Sequence, residues 1–417
     1  MKLLKHRLAV VLAVATLAAL VSVSAPTASA QVAPAVIDPT CAFPIIVNQD
    51  DANVAYPDTN STYWAMPTNF SIGDVVTITG EFAYARYMSF NSYDASGSSV
   101  GGLRDEAMLP DSGSINPFTS GQSLTGVPRD YTVTVNVTNS PQLVSPVPGA
   151  IDAIPGAGWL LIRVYVPFDA ASPSGSVAIP SITVNSVTKA GCTAFGSEPA
   201  IVTLAAMIMG QAIADAIPPA ENPEFSFSGG GGLFPNADNK YVYATTSWKP
   251  GRLIIVRGLA PSSPDTPTQG LYPEQQLRYW SMCTNLLVTP APVVECARDH
   301  LTALDSSGYY TFVIGADRDK PSDESITRDS ATWLKWFGPI GEALPDAQKP
   351  DGNLILRNML PNASFTNAVQ DIPVTQSNAA ARATMGLYYP EATYCQRSVF
   401  ENYGAAACFV LGPKFTG

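Results

Sequence analysis

The 417-residue sequence predicts a mainly β protein built as two tandem sandwich or jelly-roll-like domains. Two observations carry this: residues recur in a fixed order at near-constant offsets, and short β-branched runs alternate with turn formers throughout. The 36 prolines and 31 glycines punctuate those runs too often for long helices or a parallel sheet.

The chain opens with a basic start (Lys2, Lys5, His6, Arg7), an apolar run from Leu8 to Val23 and the small-residue sequence Ala28-Ser29-Ala30. That is the pattern of a secretory signal peptide over 1–30, cleaved after Ala30. The run is shorter than the ~20 uninterrupted apolar residues of a membrane span, and Pro26 follows it, so no transmembrane anchor is expected. The sequence therefore points to a secreted, extracellular location. Without the leader, 20 basic side chains face 34 acidic ones, a net charge of about −14 that repels phosphate backbones and excludes a nucleic-acid partner.

Over 31–195 the first copy is expected, with strands at Gly73–Gly80, Tyr131–Val137, Trp159–Val166 and Ile182–Val187. Its Pro57, Tyr63, Gly73 and Gly80 return as Pro235, Tyr241, Gly251 and Gly258, all at an offset of 178. Next comes a connecting segment, 196–232. Ser197 is an N-cap candidate there, Ile201, Leu204, Ile208, Ala212 and Ile213 fall near helical spacing, Pro218-Pro219 stops the run, and Gly229–Gly232 reads as a linker. The helix is expected to pack on a sheet.

The second copy, 233–417, has strand patterns at Lys240–Thr246, Gly251–Gly258 and Tyr309–Ile314. Arg86-Tyr87-Met88-Ser89 returns as Arg278-Tyr279-Trp280-Ser281 at an offset of 192, so the second copy carries fourteen more residues here, and its Pro- and Ser-rich stretch 261–273 is expected in a surface loop. Asp105, Asp111, Arg163 and Pro167 return as Asp299, Asp305, Arg357 and Pro361 at 194.

All six cysteines lie in the mature part, as suits an oxidising compartment. Cys283 with Cys296 and Cys395 with Cys408 share one spacing, which leaves Cys41 with Cys192 to clasp the first copy; this is one of fifteen connectivities.

His6 leaves with the leader and His300 remains alone, which excludes multi-histidine metal centres and H-E-x-x-H proteases within one chain. Gly97-Ser98-Ser99-Val100-Gly101 matches the nucleophile elbow, with Ser99 as nucleophile and His300 as its necessary base, but no helix pattern follows it. Carboxylates are the plentiful catalytic material. Asp58 and Asp94 are the first candidates for paired acid–base work, with Tyr63, Trp64, Tyr93 and Asn60 beside them as ligand-binding candidates. Against this, Asp58-Thr59-Asn60, Asp94-Ala95-Ser96-Gly97 and Asp111-Ser112-Gly113 are ordinary turn formers. Asp94, Asp105, Asp305, Asp317 and Asp319 offer hard oxygens to calcium, yet no D-x-D-x-D-G loop frames them, so no metal or other cofactor is assigned.

Arg86, Asp105, Arg278 and Asp299 recur in both copies and are expected to be structural pairs, because a buried arginine is costly without its carboxylate. Function is therefore expected where the copies differ, first at Asn91–Gly102 and Cys283–Cys296.

The stretches Tyr56-Pro57-Asp58-Thr59-Asn60-Ser61-Thr62-Tyr63-Trp64 and Arg86-Tyr87-Met88-Ser89-Phe90-Asn91-Ser92-Tyr93-Asp94 resemble exported bacterial proteins of unknown function with paired β-sandwich domains. There an N-x-D-T-x-Y stretch precedes a strand and R-Y-x-S begins another. This chain departs from the pattern in placing Asp58 before Asn60 and in its cysteines. The resemblance implies a fold and an extracellular location, and no activity. The expected function is a secreted, non-catalytic binding or surface-associated protein with an extracellular ligand, glycan among the classes; the alternative is an extracellular hydrolase of polymers or glycans using paired carboxylates.

Overall fold

The computed structural model describes residues 40–195, 221–227, 234–268, 275–288, 291–373 and 377–411. The expected signal peptide, connecting helix and glycine linker lie outside the described residues.

The first half contains two five-stranded sheets. One runs in the order β1 (Ile45–Val47), β2 (Ser61–Phe70), β8 (Gly156–Pro167), β4 (Ala85–Asp94), β5 (Ser99–Arg104). The other runs β10 (Val187–Lys189), β9 (Ser181–Val184), β3 (Val76–Glu81), β6 (Asp130–Val137), β7 (Ala150–Ala153). Trp64, Met66, Met88, Phe90, Ile162 and Val164 from the first sheet meet Ile78, Val133, Val135, Ile151 and Ile182 from the second, a sandwich core of alternating inward residues.

The second half repeats this order: β11 (Ser226–Phe227), β12 (Asn239–Thr246), β18 (Gly352–Pro361), β14 (Leu277–Leu286), β15 (Val293–Arg298), with β17 (Ala331–Lys335), β16 (Tyr309–Gly315), β13 (Arg252–Leu259) and β19 (Glu391–Gln396) as its second sheet. In both halves one pair in the second sheet is parallel, β6 with β7 and β16 with β17. The chain is thus mainly β in two sandwiches of common strand order. Four short helices, α1 (Asp323–Arg328), α2 (Pro339–Ala343), α3 (Asn378–Met385) and α4 (Arg397–Leu411), occur in the second half and have no counterpart among the described residues of the first.

The disulfides pair Cys41 with Cys192, Cys283 with Cys296 and Cys395 with Cys408. The first closes the ends of the first half, the second joins opposed residues of β14 and β15, and the third fastens α4 to β19.

Two expectations change locally. Ile182–Val187 is not one strand: Asn185 and Ser186 take φ of 48° and 71°, turning the chain from β9 into β10. A two-residue turn with both φ positive matches the twist of the flanking strands. The Pro- and Ser-rich insertion is a surface loop only in part. Ser262, Asp265, Thr266 and Thr268 are exposed, but Pro261 and Pro264 are buried.

An antiparallel sheet ordinarily covers one face and wets the other. Here β4 is buried on both faces from Ala85 to Tyr93, and β14 from Leu277 to Asn285. Met88 and Phe90 enter the sandwich core, as do Trp280 and Met282. The opposite face carries Tyr87, Ser89, Asn91 and Tyr93 in β4, and Tyr279, Ser281, Cys283 and Asn285 in β14, all buried. That polar face is covered by the other half.

Candidate functional site

The polar layer between the halves gathers most of the residues singled out in the sequence. At its edges lie two reciprocal clamps. Arg86 Nη1 donates to both carboxylate oxygens of Asp299 at 2.7 Å, and Arg278 Nη1 donates to Asp105 Oδ1 at 2.6 Å. The repeated arginines and aspartates therefore pair across the halves, the arrangement of a two-fold interface in which residue i meets j and j meets i.

Each aspartate is aimed by backbone donors of its own half. Asp105 accepts from the N–H of Met88 (2.9 Å) and Glu106 (2.7 Å), Asp299 from Trp280 (3.3 Å) and His300 (2.7 Å). Burial works against the charge of Arg278, but Asp105, Glu106 and Tyr87 together outweigh it and hold the guanidinium pKa above its ordinary value. The clamps differ at one position. Glu106 adds a second carboxylate to Arg278 at 3.1 Å, whereas His300 Nδ1 stands 3.0 Å from both Arg86 Nη2 and Asp299 Oδ1. The carbonyls of Pro264 and Thr266, from the insertion, also accept from Arg86 at 3.2 and 3.0 Å.

The residues before β2 and β12 reach across in the same reciprocal way. Asp58 is fully buried; it accepts from Tyr279 Oη (2.9 Å) and Ser281 Oγ (2.7 Å) and is ion-paired with Arg357. Asn60 Nδ2 donates to Tyr279 Oη at 3.2 Å. In the other direction Tyr87 Oη donates to Asp238 at 2.7 Å and receives Asn236 Nδ2 at 3.2 Å. Asp58 and Asn60 align with Asn236 and Asp238, so the carboxylate and the amide have exchanged places between the copies.

That exchange leaves Arg163 unlike Arg357. Arg163 is 4% exposed and donates to Asn91 Oδ1 (3.0 Å), Tyr93 Oη (2.8 Å) and the Phe234 carbonyl (2.6 Å), with its guanidinium 4.5 Å from the Tyr63 ring centre. Among the described residues it makes no ion pair. Burial opposes its charge, yet Tyr93, Tyr63 and Tyr165 together outweigh burial and raise its pKa.

The other predicted residues fall as follows. Tyr63 Oη lies 2.6 Å from Tyr165 Oη inside the layer. Tyr93 is buried, its ring edge-on to Phe234 and its Oη donating to the Pro235 carbonyl at 3.0 Å. Trp64 is buried in the first sandwich core. Asp94 lies at the tip of the β4–β5 hairpin, partly exposed, its Oδ1 capping the N–H groups of Ser96 and Ser98. Burial nudges its pKa up, but the Ser96 and Ser98 hydrogen bonds prevail and lower it. Ser99 Oγ donates to the Pro235 carbonyl at 3.1 Å, and Ser99 opens strand β5 where an elbow would open a helix. Asp58 is thus enclosed while Asp94 faces solvent, and Ser99 and His300 are bonded to different groups.

Of the acidic residues considered for calcium, Asp105 is held by Arg278, Asp305 by Arg257, Asp317 by Lys335, and Asp319 by Arg318 and the Gly251 N–H. The spans Asn91–Gly102 and Cys283–Cys296 prove to be mostly strand, with Asn91 opposite Gly102 and Cys283 opposite Cys296. Sequence reasoning missed Tyr165 and the part played by the segment Phe234–Asp238, and singled out Tyr241 only as the repeat counterpart of Tyr63. That segment was legible as the aligned counterpart of Tyr56–Asn60.

No protein-family profile matches the chain, and neither does any curated protein. Among solved structures, an uncharacterised protein from Burkholderia cenocepacia is similar with a TM-score of 0.50 and 10% identity, over 84% of this chain and 79% of that one. The VPA0106 protein from Vibrio parahaemolyticus gives a TM-score of 0.39 and 12% identity, over 82% of this chain and 91% of its own. At such identities the likeness to the first is one of fold.

Proposed function

We propose that this is an exported, non-catalytic binding or cell-surface-associated protein, in which the residues common to both halves hold the halves together and the rim carries recognition. The observation that carries the reading is the fate of Asp58. The carboxylate best placed by sequence for acid–base work is fully buried and is spent on Arg357, Tyr279 and Ser281. A general acid or base must reach a proton on its substrate, and a group enclosed in this way does not.

Three disulfides suit an oxidising compartment, and among the described residues no helix is long and apolar enough to cross a membrane. The apolar, Ala-x-Ala-ended start of the sequence supports export, and the resemblance to exported bacterial proteins of unknown function supports the same location. With Trp64 and Tyr93 enclosed, ligand contact belongs to exposed loops such as Ser96–Ser98 at the hairpin tip.

The test is a screen of purified protein against insoluble polysaccharides and ester substrates, reading both retention and product release, alongside Asp94→Asn and Ser99→Ala. Retention of protein without turnover is expected. Turnover that disappears in either variant would replace this reading with the hydrolase.

A further inference from the structure

We propose that Cys283–Cys296 is an exchange-competent disulfide, opened by an external dithiol that attacks Cys296 and expels Cys283 as a thiolate beside Arg357.

A staple is the simplest role for a disulfide, and the fold itself weakens that explanation here. The equivalent hairpin of the first half, β4–β5, closes in the same register with Asn91 opposite Gly102 and no disulfide. The cysteine pair is therefore an addition to a hairpin that forms without it.

The surroundings of the two sulfurs favour negative charge. Arg357 Nη1 lies 3.6 Å from Cys283 Sγ, Ser281 Oγ lies 3.8 Å from it, and the Thr59 N–H donates to Cys296 Sγ at 3.4 Å. A guanidinium at a leaving sulfur stabilises the thiolate and speeds exchange. Asp58 acts the other way, since its carboxylate lies within 4.8 Å of both sulfurs and already holds Arg357. The charge of the layer decides between them. Arg357 and Arg163 both stand against Tyr63 and Tyr165, so they share one buried layer, and only Arg357 has a carboxylate there. A thiolate at Cys283 would offset the positive charge that Arg163 leaves uncompensated.

Both sulfurs lie inside the layer, and Cys296, on the edge strand β15 and partly exposed as a residue against 1% for Cys283, is the one an attacking thiolate reaches first. One thiolate of the dithiol forms a bond to Cys296 Sγ as the Cys283–Cys296 bond breaks, and the electron pair goes to Cys283 Sγ. The second thiol, deprotonated, attacks the dithiol's own sulfur in the mixed disulfide and releases the Cys296 thiolate, which takes a proton from water. The protein disulfide has gained two electrons and the dithiol has become a disulfide. Cys283 then competes with Asp58 for Arg357, and Cys296 moves away from Thr59, loosening the Asp58–Asn60 segment of the first half from the second.

The test treats the whole folded protein with graded dithiothreitol, then alkylates free thiols and maps them by peptide mass. Cys283 and Cys296 are expected to be alkylated at about tenfold less dithiol than the other four cysteines. Cys395 and Cys408 are both buried, and Cys41–Cys192 closes a far longer loop, 151 residues against 13, so both should resist longer. In protein opened at this pair alone, Cys283 alkylation should titrate below the ordinary thiol value of about 8.5, and Arg357→Gln should move that midpoint upward. If Arg357→Gln fails to fold, the double variant Cys283→Asn with Cys296→Gly, which copies the first half, should fold and lose the early-labelling pair. Opening of this pair together with or after the others, or a Cys283 midpoint at or above the ordinary thiol value, would overturn the proposal.

Discussion

Arg86, Asp105, Arg278 and Asp299 show how a repeated residue can be read. Their recurrence marks them as paired, and the cost of a lone buried charge explains why none is dispensable. The sequence could not say that each arginine reaches into the other half, because a repeat pattern is the same whether partners lie within a copy or between copies. Removing one partner, as in Asp299→Asn or Asp105→Asn, is expected to cost about 3–5 kcal/mol in denaturant unfolding, since the arginine is then left buried and unpaired. Asp94 lies at the other extreme. Its carboxylate caps an exposed turn, so Asp94→Asn should change stability by no more than about 0.5 kcal/mol.

At the scale of elements, the repeated glycines were legible and their reason was not. Gly80 pairs with Tyr131 and Gly258 with Tyr310, and in each half the tyrosine ring crosses the glycine, leaving no room for a Cβ. The strands themselves follow from β-branched runs between turn formers. The turn at Asn185-Ser186 escaped because Ile182–Val187 reads as one uninterrupted pattern, although asparagine tolerates the left-handed region it needs. Ser186→Gly should stabilise by about 1 kcal/mol, read as a shift in unfolding midpoint, because serine holds φ of 71° there at a steric cost. Gly404, inside α4, has φ of 79° and faces Asp329, whose Oδ1 caps the Ala405 N–H at 2.9 Å. Gly404→Ala should therefore destabilise by about 1–3 kcal/mol.

Across the whole molecule, the two sandwiches, each with its own apolar core, bury a polar layer of arginines and tyrosines between them. The Asp58/Asn60 and Asn236/Asp238 exchange could be aligned in the sequence, but its consequence, a buried Arg163 without a carboxylate, needed the third dimension. Buried tyrosines elsewhere in the molecule make the fold sensitive to alkali. Burial pushes Tyr56 up to about 12, and burial likewise pushes Tyr394 to about 12 against the Ser247 N–H. The unfolded chain loses these protons near 10 while the folded protein keeps them, so their stabilisation is complete below about pH 10 and is lost as pH rises towards 12. The denaturant midpoint should fall steeply over that window, together with the appearance of tyrosinate absorbance. A flat profile would mean that these hydroxyls are open to solvent.

The central claim is that the repeated charges bind the halves to each other. Double-mutant cycles decide it. Arg86 with Asp299 and Arg278 with Asp105 should each show coupling above about 1.5 kcal/mol, while the within-half pairs Arg86 with Asp105 and Arg278 with Asp299 should add within about 0.5 kcal/mol. Strong coupling within a half, with additivity across the halves, would contradict the account.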